Sequence, residues 1–118
     1  MNRPEQTIQR SIVDYLRTVL PTALVFAIPN AASRTKNGKA SNGVPGLTAG
    51  IPDLALILPG GKAHFIECKT PIGSLSDEQQ AIRYVCLNAS IPWAVATSID
   101  DVRIALDHWN ISTNEVRA

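Results

Sequence analysis

The chain has 118 residues, a length typical of one domain with one hydrophobic core, and we interpret residues 1–118 as a single domain. Hydrophobic residues make up 45% of it and charged residues 18%, which predicts a globular fold and excludes a disordered chain. The formal net charge is only +1, so nucleic-acid binding would require a local basic patch. No apolar run approaches the roughly 20 residues of a membrane span, and the N-terminus carries no apolar signal core. We therefore expect a cytoplasmic protein that does not contact membranes.

Hydrophobic periodicity and chain-breaking residues divide the first half of the chain into one helix and three strands. Apolar residues between Glu5 and Leu20 recur at the spacing of one helix face, and Pro21 should end that helix. A short apolar segment follows, as in a buried strand, and then a long polar, glycine-rich stretch. The predicted segments are a helix at 5–20, a buried strand at 23–28, a loop at 30–50, and strands at 54–58 and 63–69 around a Pro59-Gly60-Gly61 turn.

A helix, a strand and a last helix complete the predicted order α-β-β-β-α-β-α. Ser76 is a suitable N-cap, and Gln79 completes a capping box, so the second helix should run from there to about Asn88. A strand at 92–96 and a last helix that starts at Ser98 follow it. The residues expected on one face of the second helix are Ile82, Val85, Cys86 and Ala89.

The third predicted strand carries charged residues where a core strand should be apolar. Glu67 and Lys69 are two residues apart, so their side chains share one face of the strand. If Pro59-Gly60-Gly61 forms a three-residue loop, the hairpin pairs Asp53 with Glu67, and two carboxylates converge on that face. A two- or four-residue loop would instead pair Asp53 with Cys68 and divide the group, unless a bulge restored it.

Paired carboxylates beside a lysine indicate a metal-dependent site. Like charges raise each other's pKa, and a divalent cation removes that penalty. Oxygen ligands favour a hard ion, so the expected cofactor is Mg²⁺ or Mn²⁺, with no organic cofactor. Lys69 would then orient the nucleophile, accept its proton through a lowered pKa, or stabilise the charged transition state, and the choice among these roles stays open. The alternative is a surface hairpin with a cross-strand ion pair.

Three motifs follow one another along the chain: Gly50-Ile51-Pro52-Asp53-Leu54, Phe65-Ile66-Glu67-Cys68-Lys69-Thr70 and Gly73-Ser74-Leu75-Ser76-Asp77-Glu78-Gln79. In this order and spacing they resemble the motifs of the VRR-NUC nucleases, a branch of the PD-(D/E)xK, restriction-endonuclease-like superfamily. The resemblance implies an α/β fold with an αβββαβ core, in which helices flank a mixed four-stranded sheet. The implied metal ligands are Asp53, Glu67, the backbone carbonyl of Cys68 and Glu5, and the implied catalytic residues are Asp53, Glu67, Lys69 and Gln79.

Other residues have simpler interpretations. Glu5 also suits a helix dipole, as an acidic residue in a first turn. His64 faces away from Glu67, and we interpret both histidines as structural or exposed rather than as metal ligands. Trp93 and Trp109 are interpreted as core or interface residues rather than as base-stacking platforms. The two cysteines match no zinc or redox spacing, so we expect reduced, buried thiols.

The leading hypothesis is a phosphodiesterase that acts on DNA. A domain of this size has little surface for recognising a DNA base sequence. We therefore expect recognition of DNA shape, as in branched or Holliday-junction-like DNA. The resemblance further implies a homodimer with two sites and a phage-encoded protein. The alternatives are a non-enzymatic nucleic-acid-binding module with a nuclease fold, and a subunit that cuts only within a larger complex. The predicted DNA contacts, with a solvated loop as the alternative, are Asn30, Ser33, Arg34, Lys36 and Lys39.

Overall fold

The structure of the chain is a computed structural model that describes residues 3–29 and 45–116. Within these ranges the helices and strands follow one another in the predicted order, and that prediction is confirmed. No helix in the same ranges is long and apolar enough to cross a membrane. The elements are α1 (Arg3–Val19), β1 (Leu24–Ala27), β2 (Leu54–Ile57), β3 (Ala63–Cys68), α2 (Asp77–Asn88), β4 (Trp93–Ala96) and α3 (Ile99–His108).

The strands form one sheet in the order β1-β2-β3-β4. β1 pairs with β2, and β2 with β3, in the antiparallel sense, whereas β3 and β4 are parallel. A parallel pair cannot be joined by a tight turn, and α2 provides the crossover from β3 to β4. The predicted mixed four-stranded sheet flanked by helices is therefore confirmed.

The hydrophobic core lies between one face of the sheet and helices α1 and α3. Leu16 of α1 is fully buried in this core, together with Ile66 and Cys68 of β3. Helix α2 lies on the opposite face, because its Gln79 contacts Glu67, and Glu67 points away from its two neighbours on β3. The core cluster consists of Ile12, Leu16, Val19, Leu20, Val25, Leu54, Leu56, Ile66, Cys68, Ala96, Val102 and Leu106.

The prediction that the first strand is buried is wrong. β1 is an edge strand with one covered face, because it pairs with β2 along one side and packs against α1. Val25 points towards the core and is 4% exposed, whereas Leu24 and Phe26 on the other face are 58% and 37% exposed. A run of apolar residues therefore does not distinguish a strand covered on both faces from one covered on a single face.

The residues predicted to share one face of α2 differ in burial. Cys86 is buried, but Ala89 and Val85 are exposed, the latter by 62%. The helix turns Gln79 and Cys86 towards the sheet instead. Its outer face consequently carries exposed apolar side chains, namely Tyr84, Val85 and Leu87.

Polar contacts connect the C-terminal segment to α1 and α3. The Tyr15 hydroxyl and the Arg103 guanidinium both donate to the carboxylate of Glu115. Arg103 also forms a salt bridge with Asp100, and its Cζ lies 5.3 Å from the centroid of the Tyr15 ring. One arginine thus links three parts of the chain that are distant in sequence.

We expect the α1 layer to carry much of the stability. Leu16→Ala should lower the free energy of unfolding by about 2–5 kcal/mol, because it removes buried methyl groups and leaves a cavity. Ile104→Ala, at a residue of α3 that is 66% exposed, is the control and should change it by less than about 0.5 kcal/mol. Urea denaturation followed by circular dichroism measures both, and equal effects would contradict the core described here.

Candidate active site

The β2–β3 hairpin has the register that brings the two carboxylates together. Leu54 pairs with Ile66, and Ile57 with Ala63, which is the register expected for a three-residue loop. Continued by one residue, this register sets Asp53 opposite Glu67. The predicted register is confirmed, and both side chains belong to the face of the sheet that carries α2.

Asp53 is held at the start of β2 by contacts to both neighbouring strands. Its backbone carbonyl accepts a hydrogen bond from the N–H of Ile28, at 2.9 Å. Its side-chain Oδ2 accepts one from the backbone N–H of Cys68, at 2.8 Å. Only 8% of Asp53 is exposed. The carboxylate therefore has one fixed orientation at the end of β3.

Glu67 is more deeply buried, with 2% of its surface exposed. Its Oε2 accepts a hydrogen bond from Nε2 of Gln79 at 2.9 Å. Its Oε1 is buried without a hydrogen-bond partner among the residues that the structure describes. Burial raises the pKa of Glu67 to about 9, with a further contribution from the neighbouring Asp53. The buried site therefore favours the protonated, uncharged form of the Glu67 carboxyl group.

Gln79 completes the predicted capping box of α2 and also contacts Glu67. Its side-chain Oε1 accepts a hydrogen bond from the backbone N–H of Ser76. The backbone N–H of Gln79 donates to Oγ of Ser76, so the capping box is complete. The remaining end of the same side chain reaches Glu67. The first turn of α2 is therefore fixed relative to the carboxylates.

Lys69 follows β3 by one residue and remains attached to the sheet. Its backbone N–H donates to the carbonyl of Ala96 at 3.1 Å. Its side chain is half-buried, and a Cβ on Gly73 would lie 3.5 Å from its Cδ, so the aliphatic stem runs beside the 70–73 turn. Its positive charge lowers the pKa of Glu67. Lys69 is thus close enough to Glu67 to affect its ionisation.

Glu5 and Cys68 approach the same place from α1 and β3. Glu5 is half-buried, and its charge contributes to raising the pKa of Glu67 and of the Cys68 thiol. Burial is the main cause that raises the Cys68 pKa to about 12, so its sulfur stays protonated. Both Cys68 and Cys86 are free and buried, as predicted.

The donor set suits a hard cation with few protein ligands. Within residues 3–29 and 45–116, no three His, Cys, Asp or Glu side chains are grouped so that they could hold a metal ion. Glu5 therefore does not complete a three-carboxylate cluster. Mg²⁺ commonly keeps several waters and uses one or two carboxylates, so Asp53, Glu67 and the Cys68 carbonyl are a sufficient set. The unpartnered, buried Oε1 of Glu67 is the observation that supports this fit.

Several predicted residues lie elsewhere. His64 is buried on the core side, 5.0 Å from the Trp109 ring, and His108 is exposed on α3. Trp93 is half-buried below Arg83. The predicted DNA contacts Asn30, Ser33, Arg34, Lys36 and Lys39 lie outside the described residues.

Gly50 is a structural residue of the site that the sequence interpretation missed. Its φ is +82°, and a Cβ there would lie 2.4 Å from the carbonyl carbon and oxygen of Glu78 in the first turn of α2. The chain before Asp53 therefore touches the helix backbone that positions Gln79. A glycine directly before Ile51-Pro52-Asp53 was the available signal, although its partner was not evident.

Gly50→Ala should separate α2 from the sheet. Gly46 also has a positive φ, of +88°, but a Cβ there meets nothing within 4 Å, so Gly46→Ala is the matched control for backbone strain alone. We expect Gly50→Ala to lower the free energy of unfolding by about 1–3 kcal/mol more than the control, because of the additional overlap. Chemical denaturation of both variants measures the difference, and equal losses would show that the close contact has no cost.

Metal-free protein should lose stability as the pH rises. Between pH 4.5 and about 9 the Glu67 carboxyl is ionised in the unfolded chain but protonated in the folded one, so unfolding releases a proton. The free energy of unfolding should therefore fall across this range relative to Glu67→Gln, which cannot ionise. Glu78→Gln, at an exposed residue, is the control. Denaturation in EDTA from pH 5 to 9 tests this, and parallel pH curves for wild type and Glu67→Gln would contradict it.

Two comparisons with known proteins return the same domain. A family model described as the VRR-NUC domain matches residues 4–100. A solved structure described as a VRR_NUC domain matches with a TM-score of 0.65 at 20% identity, covering 92% of this chain and 99% of that chain. No curated protein sequence matches. At that identity the structural likeness establishes the α/β, restriction-endonuclease-like fold, and the family model spans most of the chain. This chain therefore belongs to the VRR-NUC family of nuclease-type domains.

Proposed function

We propose that this chain is a metal-dependent endonuclease that hydrolyses phosphodiester bonds in DNA. The observation that carries the proposal is the pair of buried carboxylates, Asp53 and Glu67, in which Oε1 of Glu67 has no hydrogen-bond partner among the described residues. The positive charge of Lys69 acts on Glu67 as well. Membership of the VRR-NUC family supports the reaction class, since these nucleases generally depend on a metal.

The carboxylates and their hydrogen-bond donors have separate tasks in this proposal. Asp53, Glu67 and the Cys68 carbonyl would hold Mg²⁺ or Mn²⁺, which would supply Lewis acidity and activate water for attack. The Cys68 N–H orients the Asp53 carboxylate, and the Gln79 amide orients that of Glu67. Each carboxylate thereby keeps one oxygen that is not used by its orienting bond. Fixed donors of this kind avoid reorganisation during the reaction.

Lys69 stabilises the negative charge that develops on the attacked phosphate. Its ammonium is a compact charge on a flexible stem, which suits a contact that forms with the substrate. The 70–73 turn limits the directions in which this stem extends.

Substrate choice and assembly complete the proposal. We expect shape-selective cleavage of branched DNA, including Holliday-junction-like DNA, with phosphate contacts from the 30–39 segment. We also expect a homodimer. Its support is the outer face of α2, where Tyr84 and Leu87 are neighbours on the helix surface, are 67% and 53% exposed, and can be covered by a second copy.

Lys69→Ala should reduce cleavage by at least about 100-fold without unfolding the protein, because it removes a charge that acts on the transition state. Lys62→Ala removes an exposed lysine at the other end of β3 and is the matched control. The assay uses labelled linear, flap, fork and four-way DNA with Mg²⁺, Mn²⁺ or EDTA. Unchanged cleavage by Lys69→Ala would refute the proposed site.

The same assay separates the nuclease from the two alternatives. Binding of branched DNA without cleavage in any metal would favour a nucleic-acid-binding module or a subunit that depends on a larger complex. Cleavage by the purified chain would exclude both. Gel filtration of wild type and of Leu87→Asp tests the homodimer through the outer face of α2.

A further inference from the structure

Arg83 lies on the same side of α2 as Gln79. The two residues are four positions apart and are therefore neighbours on the helix surface. Cys86, which follows on this side, is buried, so the side faces the sheet. Arg83 itself is half-buried. One turn of helix thus separates its side chain from the amide that holds Glu67.

The guanidinium of Arg83 lies over Trp93, with Cζ 5.7 Å from the ring centroid. Trp93 pairs with Phe65 in the parallel ladder. Phe65 and Glu67 are two residues apart on β3, so Trp93 and Glu67 project from the same face of the sheet. Side chains two residues apart on one strand face are separated by about 7 Å along the strand. Arg83 is therefore held above the Phe65–Trp93 pair, which is the cross-strand pair next to Glu67 on this face.

This guanidinium has no anionic partner within the described ranges. Both salt bridges found there use Arg103, and no hydrogen bond there joins the Arg83 side chain to another residue. A cation–π contact with Trp93 restrains the group but does not use its five N–H donors. Those donors form a planar fork that matches two oxygens of a phosphate. Among residues 3–29 and 45–116, Arg83 is thus a restrained cation whose N–H donors have no partner.

The acidic residues around Glu67 would repel DNA, and a nearby cation such as Arg83 would reduce that repulsion. Asp53 and Glu5 contribute negative charge there, and Asp77 and Glu78 occupy the first turn of α2. A bound metal would compensate this negative charge at the phosphate that is cut. The adjacent phosphates of the same strand would still be repelled by the acidic side chains. Contacts to such phosphates position a DNA strand without reading its sequence.

We propose that Arg83 binds a backbone phosphate of the DNA strand beside the phosphate that is cut. Trp93 is the positioning residue that holds its guanidinium. This inference rests on the proposed nuclease function and adds to it a phosphate subsite on α2. Arg83 is accordingly a DNA-binding residue, distinct from the predicted contacts in the 30–39 segment.

The test measures binding separately from cleavage. Anisotropy of a fluorescein-labelled flap DNA is followed in Mg²⁺ at several salt concentrations, with Lys69→Ala as the parent protein. Adding Arg83→Gln should raise the Kd roughly 10-fold, as for the loss of a charged hydrogen bond, and lower the salt slope by about one. Arg83→Lys should keep the slope and recover part of the affinity. Arg10→Gln is the matched control, because this exposed arginine lies on α1, across the sheet.

Trp93→Leu distinguishes positioning from a general structural effect. As a single substitution, Trp93→Leu should weaken DNA binding. In protein that already carries Arg83→Gln it should have no further effect, because both changes remove the same contact. In protein with intact Lys69, Arg83→Gln should raise the KM for flap DNA and leave kcat within about twofold, as expected for lost uniform binding. Additive effects of the two substitutions would overturn the role of Trp93.

The outcomes separate this inference from the proposed function. If wild type cuts and Arg83→Gln behaves as Arg10→Gln does, the inference is overturned and the nuclease assignment stands. Binding that depends on Arg83 without any cleavage supports the phosphate contact and overturns the nuclease assignment. Absence of both binding and cleavage in wild type overturns both.

Discussion

Antiparallel pairing of β2 with β3 is the constraint on which the site depends, because side chains on a strand alternate between faces. A slip of one residue would turn Asp53 towards α1 and leave Glu67 without its neighbour. The same slip would move Leu54 and Leu56 out of the core. The hydrophobic residues that specify the fold therefore also specify where the two carboxylates meet, and the site needs no separate device to set its register.

Helix α2 is the second support of the site, and its approach is unusually close. Gly50 permits the backbone before Asp53 to touch the first turn of α2, and Gln79 connects that turn to Glu67. The cost of burying Glu67 beside Asp53 is met in metal-free protein by protonation. If the proposed metal binds, it would replace that proton at a site whose side chains are already positioned.

Sequence reasoning predicted those features that depend on local periodicity. The order of elements, the hairpin register and the capping box of α2 follow from spacing within one or two elements, and they are confirmed. The exposure of Phe26 was not predictable, because apolar character does not reveal which strand lies at an edge. Contacts such as Gly50 with α2, or Arg103 with Glu115, join segments whose relative placement only the folded chain defines.

Gln79 occupies both the helix cap and the carboxylate contact, and this has a consequence for conformational entropy. Fixing a glutamine side chain costs as much as about 1.5–2 kcal/mol in lost rotamer freedom. Here one loss of freedom serves two requirements, because one end of the amide completes the capping box and the other restrains Glu67. The capped helix thus presents to the Glu67 carboxylate an amide donor that is already ordered, and no second side chain has to be immobilised.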